Sequence, residues 1–149
     1  MAHRVHNRTI LIVEDNDDDF EAVESAFHEG AGAAVAISRS ASGHDALDFL
    51  FKRGPYAPPN DQPLPVLLML DLNLLGISGR EVLGKIKSDD NLKRIPVIVM
   101  SSSSDERDID ACYRVGANAY VQKPMELSSL FDAVANLKAF WLETVILPT

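Results

Sequence analysis

Short apolar runs, separated by stretches of helical period, set the strongest limit on what this chain can fold into. Five runs read as strands, at residues 10–13, 35–38, 66–70, 95–100 and 119–121. The first, third and fourth are almost purely apolar, as expected of strands covered on both faces. Between and after them, apolar residues recur at three- and four-residue steps. Phe20, Val23 and Phe27 form one such face; Leu47, Leu50 and Phe51 a second; Val82, Leu83 and Ile86 a third. Leu127, Leu130, Phe131, Val134, Leu137 and Trp141 form the most regular one. Strands that alternate with amphipathic helices predict an α/β fold around a parallel sheet.

Helix starts are marked by capping pairs: Ser42 with Asp45, Ser78 with Glu81, and Ser103 with Glu106. Gly30 and Gly116 sit where helices should stop. The proline-rich stretch 54–65 reads as a surface loop inside one alternating series, so all 149 residues are expected to form one domain. Its core is expected over 9–142, with an apolar extension at 143–149. The net charge of −8 disfavours contact with nucleic acid or anionic lipid. No apolar run approaches the ~20 residues that span a bilayer. Residues 1–9 lack the apolar stretch of a signal peptide, and the single Cys112 is compatible with a cytoplasmic location.

In a right-handed βα series, ligands bind at the carboxyl ends of the strands. Glu14 and Asp15 follow the first strand, Asp71 the third, Ser101 the fourth, and Lys123-Pro124 the fifth. Three carboxylates held at one edge raise each other's pKa unless a cation intervenes. Mg²⁺ suits that need, because it takes few protein carboxylates and keeps several waters. Lys123 adds an ammonium for an incoming phosphate, and Ser101 a hydroxyl donor. Nucleophile, metal, cation and hydroxyl together suit phosphorylation of a carboxylate. Each residue alone has an ordinary use as a cap, turn or strand exit. Asp17, Asp18 and Asp19 read as first-turn residues favoured by the helix dipole.

The segments ILIVED (10–15), LDLNL (70–74), GREVL (79–83), IPVIVMSS (95–102) and GANAYVQKP (116–124) occur in this order. In this the chain resembles the receiver domains of bacterial two-component response regulators. The resemblance implies a flavodoxin-like (βα)5 fold with strand order 2-1-3-4-5. It implies that Asp71 is the phosphoacceptor, served by a sensor histidine kinase, in a signalling protein that assists its own phosphotransfer and dephosphorylation. It also implies that Glu14, Asp15, Asp71 and the backbone carbonyl of Asn73 hold Mg²⁺, while Ser101 and Lys123 contact the phosphoryl group. Tyr120 is implied to swing inward when Ser101 moves, and the Lys123–Pro124 bond to be cis. Three positions depart from the family pattern: Leu75 stands where proline is usual, Ser78 where aspartate is frequent, and Glu14 where a shorter aspartate is common.

The proline-containing loop and the tail 140–149 (FWLETVILPT) resemble the single-domain regulators encoded with bacterial phytochrome kinases, which implies such a kinase as partner. No effector domain is expected, so output falls to contact with a downstream protein whose identity the sequence leaves open. Trp141, Val145, Ile146 and Leu147 are expected to lie beyond the closed core and to form a homodimer contact. Other readings stay open. A dehalogenase-like phosphatase would need an aspartate where Asn73 stands. A nucleotide site would rest only on the glycines at 76 and 79. A pseudo-receiver would have to carry Asp71, Ser101 and Lys123 without using them.

Overall fold

The computed structural model describes residues 8–29, 35–60 and 62–148. Gly30, expected to stop the first helix, lies outside them. Five strands, β1 (Thr9–Val13), β2 (Ala36–Ser40), β3 (Leu67–Leu70), β4 (Val97–Ser101) and β5 (Ala119–Gln122), form one parallel sheet. Five α-helices follow them in turn: α1 (Asp17–His28), α2 (Gly43–Phe51), α3 (Gly79–Lys87), α4 (Glu106–Val115) and α5 (Leu127–Lys138). The strand order is β2-β1-β3-β4-β5, as the resemblance to receiver domains implies. The chain moves outward from β1 to β2, then returns to β3 on the other side. The crevice at the carboxyl ends of β1 and β3 is therefore the switch point where such sheets bind ligands.

Side chains on a strand alternate between faces, and the apolar strands supply two cores in this way. Leu11, Val13, Leu68, Leu70, Val97 and Val99 meet α2, α3 and α4 through Leu47, Leu50, Val82, Leu83, Ile86 and Cys112. Ile10, Ile12, Leu67, Met69, Ile98 and Met100 meet α1 and α5 through Val23, Phe27, Leu130 and Val134. Register keeps like with like, with Leu11 opposite Leu68 and Ile12 opposite Met69. A slip of one residue would exchange the two sets, so the pairing is strongly specified.

The hydroxyls of Ser42 and Ser78 accept from the backbone N–H of Asp45 and Glu81, as their spacing predicts. At α4 the cap is Asp105 rather than Ser103. The Ser103 hydroxyl is already committed, donating to Asp108 (2.7 Å) and accepting from the Asp105 N–H (3.2 Å). The helix therefore starts two residues later.

The tail also departs from expectation. After α5 the chain continues as a π-helical segment, Ala139–Thr144, that turns it back across the sheet. Leu142, the last residue of the expected core, is 2 % exposed, while Trp141 and Leu147, expected beyond the closed core, pack on the α1/α5 core. The Arg8 guanidinium donates to the Leu142 carbonyl and ties the tail to the start of β1. Phe140 and Ile146 remain exposed. Among the described residues no helix is long and apolar enough to cross a membrane.

Candidate functional site

Register builds the site before any side chain is considered. Val13 lies opposite Leu70, so the next residues, Glu14 and Asp71, emerge side by side. Each is still anchored to a neighbouring strand, Glu14 N–H to the Ser40 carbonyl (3.0 Å) and Asp71 N–H to the Val13 carbonyl (3.1 Å). Both side chains are buried, at 4 % and 7 % residual exposure. With Asp15 they place one carboxylate oxygen each within 4.8 Å of one another. On the far side, the Lys123 N–H donates to the Ser101 carbonyl (2.6 Å), which fixes the β5 exit beside β4.

Lys123 reaches into the cluster. Its ammonium donates to Glu14 Oε1 (2.8 Å) and Asp19 Oδ2 (3.1 Å) and lies 3.8 Å from Asp71 Oδ2. Burial pushes the Glu14 carboxyl up to about 7, and the charge of Asp71 adds to this, against the pull of the Lys123 hydrogen bond. Burial alone would lower the Lys123 pKa, but the hydrogen bond it donates to Glu14 and the charges of Asp71 and Glu14 outweigh it and raise it. One ammonium thus faces the carboxylates of Glu14, Asp19 and Asp71, and for Glu14 burial and the neighbouring charge of Asp71 both disfavour the charged form. A set of hard oxygen donors with excess negative charge fits a divalent cation of the Mg²⁺ type.

This arrangement has a pH signature. The Glu14 carboxyl stays protonated in the folded chain above its ordinary value of 4.5. The unfolded chain then loses its proton first, so folding stability falls as pH rises from about 4.5 towards about 7. The loss is of order 2–3 kcal/mol in metal-free protein. Urea unfolding in chelator at several pH values should show the decline, and Glu14→Gln should flatten it. An unchanged slope in Glu14→Gln would assign the decline to other groups.

The remaining candidates line the same rim. Asn73 donates its N–H to Asp71 Oδ1 (3.2 Å). The Ser101 side chain is fully buried, and its hydroxyl accepts from the Ser103 N–H (3.2 Å). Tyr120 is half-buried and donates to the Ser103 carbonyl (2.9 Å), so Ser103 links the Ser101 and Tyr120 positions. Leu75 donates its N–H to Asp15 Oδ2 (2.9 Å). Proline, usual there in the receiver pattern, has no hydrogen to make that bond. The Lys123–Pro124 bond is not cis; the cis bond among the described residues is Pro58–Pro59. The strand exit adopts the trans form that an X–Pro amide favours by about 0.5–1 kcal/mol.

Sequence reasoning missed two residues here. Asp19 is indistinguishable in sequence from its neighbours in the first turn of α1, yet it alone of the three bonds Lys123. Arg39 carries no such signal in the sequence, where the second strand is expected to end at Ser38. That strand runs to Ser40, which carries Arg39 to the rim.

Comparison with known proteins agrees with this geometry. The family described as "Response regulator receiver domain" matches residues 10–135. The response regulator Rcp1 of Synechocystis sp. is 40 % identical over 142 residues, covering 95 % of this chain and 93 % of that protein. The crystal structure of the phosphorylated cyanobacterial phytochrome response regulator RcpA superposes with a TM-score of 0.89 at 39 % identity, covering 96 % of this chain and 99 % of that one. The Mn²⁺-bound form of Rcp1 gives 0.88 at 39 % identity, covering 95 % and 99 %. With an α/β sheet of order 2-1-3-4-5 and an acidic cluster at its switch point, the chain belongs to the receiver domain family of two-component response regulators, close to the phytochrome response regulators.

Proposed function

We propose that this protein takes a phosphoryl group from a sensor histidine kinase onto Asp71 and signals by contact with other proteins. The observation that carries the reading is the surrounding of Asp71: buried at the end of β3, clustered with Glu14 and Asp15, with the Lys123 ammonium 3.8 Å away. An Asp71 carboxylate oxygen attacks the phosphorus of the kinase phosphohistidine. The P–N bond breaks, its electron pair stays on the imidazole nitrogen, and an acyl phosphate forms. Lys123 is placed to leave Glu14 and Asp19 and pair with a phosphoryl oxygen as a point charge. Ser101 supplies the hydroxyl donor. Attack of water on phosphorus later returns the Asp71 carboxylate and free phosphate.

Glu14, Asp15, Asp71 and the Asn73 backbone carbonyl are the ligands assigned to Mg²⁺. When bound, the ion neutralises charge on the transferring oxygens. The new phosphoryl group, with roughly −1.5 to −2 charges, draws the Ser101 hydroxyl towards it. The Ser101–Ser103–Tyr120 hydrogen bonds then rearrange, so the α4–β5 face differs between the two states. The relation to RcpA and Rcp1 favours a phytochrome-type kinase as donor, and exposed Phe140 and Ile146 offer the apolar contact for a homodimer. A cytoplasmic setting suits such a kinase output.

The test is transfer of label from a phosphorylated phytochrome-type kinase, with Mg²⁺ present and then chelated. Label should reach the chain only with the metal. Millimolar Mg²⁺ should also raise the melting temperature, because a ligand bound by the native state alone stabilises it. Asp15→Ala should abolish that rise. A melting temperature indifferent to Mg²⁺ would show that the carboxylate cluster does not hold the ion.

A further inference from the structure

The β1–α1 turn crowds Glu14, Asp15, Asp17, Asp18 and Asp19 into six residues. Such a run is repulsive and mobile unless something sorts it. We infer that Arg39 is a positioning residue that orients the Glu14-Asp15 pair for the divalent cation; the inference rests on the Mg²⁺ site proposed above.

Arg39 is the penultimate residue of β2, at the same sheet edge as the cluster. Its planar fork donates to the Glu14 carbonyl twice, from Nε (3.1 Å) and Nη2 (3.0 Å). The Glu14 N–H is already bonded to the carbonyl of the next residue, Ser40 (3.0 Å). Glu14 is thus gripped from both sides of its backbone by one strand, and the direction in which its side chain leaves is fixed. The same Nη2 lies 2.8 Å from Asp17 Oδ1 and draws that carboxylate to the β2 side. The guanidinium rests on the Phe20 ring at 4.7 Å, which limits its own freedom. Lys123 meanwhile holds Asp19. Two cations therefore occupy Asp17 and Asp19, two of the three acids outside the cluster, and Asp15 is left beside Glu14 and Asp71. A guanidinium so placed spends its charge on Asp17 and a carbonyl.

Groups that orient metal ligands without touching the metal change affinity by about 10–100-fold when removed. Calorimetric titration of Mg²⁺ into the full chain at neutral pH reads this directly, with metal-free melting followed in parallel. Arg39→Met keeps the apolar stem over Phe20 and removes the fork; it should weaken Mg²⁺ binding about tenfold or more. Arg39→Lys keeps a charge but cannot fork onto the carbonyl, so its affinity should fall between the two. A residue that merely braced the fold would lower the melting temperature and leave the Mg²⁺ affinity alone. Affinity of Arg39→Met within about twofold of the parent therefore overturns the inference while the Mg²⁺ site stands. If Arg39→Met does not fold, Arg39→Lys decides by the same criterion. A parent chain that takes up no Mg²⁺ overturns the site and this inference together, which separates the two failures.

Discussion

Asp71→Asn is expected to give a folded chain that takes up no phosphoryl group from any donor. The amide keeps the shape of the carboxylate and can still accept from the Asn73 N–H, now 3.2 Å from Asp71 Oδ1. It has no charged oxygen to attack phosphorus, so labelling should fall by several orders of magnitude, to background. Stability should move the other way. The charge of Asp71 helps hold the Glu14 carboxyl up at about 7, and removing it relieves that repulsion. Lys123 keeps its two shorter partners, Glu14 and Asp19. The variant should gain about 0.5–1 kcal/mol in metal-free urea unfolding. A labelled variant would move the acceptor elsewhere, and a strongly destabilised one would make Asp71 a structural residue.

Among the glycines of the described residues, Gly79→Ala should be the most damaging substitution. Gly79 opens α3 with its N–H bonded to the Leu72 carbonyl (3.1 Å). A Cβ at this position would sit 2.1 Å from the Asp71 carbonyl oxygen, 2.6 Å from Leu72 Cα and 2.9 Å from the Asp71 carbonyl carbon. All three are backbone atoms, so no rotamer can relieve the clash. Either α3 moves off the sheet or the backbone carrying Asp71 shifts. The expected cost is about 3 kcal/mol in urea unfolding, with loss of most phosphorylation in the fraction that stays folded. Gly84→Ala, in the same helix, is the control. Its nearest contact would be Val115 Cγ1 at 3.9 Å, and helix propensity favours alanine there by about 0.8–1 kcal/mol. Equal stability of the two variants would contradict the close approach on which the Asp71 loop depends.

Much of this site was legible in the sequence for one physical reason. Buried parallel strands are apolar runs, and the residue that breaks each run lies at the carboxyl edge. Glu14, Asp71, Ser101 and Lys123 could therefore be placed together without knowing a single contact. The pattern weakens where burial is one-sided. β2 is an edge strand whose residues are mostly half-buried or exposed, so its polar end, Arg39 and Ser40, did not read as strand. Periodicity is silent on which of several identical residues makes a contact, which is why Asp19 was hidden among its neighbours. Local competition decided the α4 cap, where Asp105 won because the Ser103 hydroxyl already served Asp108. The tail was misplaced because apolar residues after a helix look the same whether they face a partner or fold back. After the π-helical segment Ala139–Thr144 the chain brings Leu147 onto the α1/α5 core, where Trp141 also packs.

On the proposed function the acyl phosphate forms on one carboxylate out of 22 acidic side chains. The direct measurement is to phosphorylate the full chain with acetyl phosphate and Mg²⁺, then reduce the acyl phosphate with borohydride and locate the product by peptide mass spectrometry. Reduction converts a phosphoaspartate to homoserine and leaves free carboxylates untouched. Homoserine is expected at position 71 alone, and none when Mg²⁺ is chelated. Homoserine at Asp15 or elsewhere, with position 71 unmodified, would contradict it.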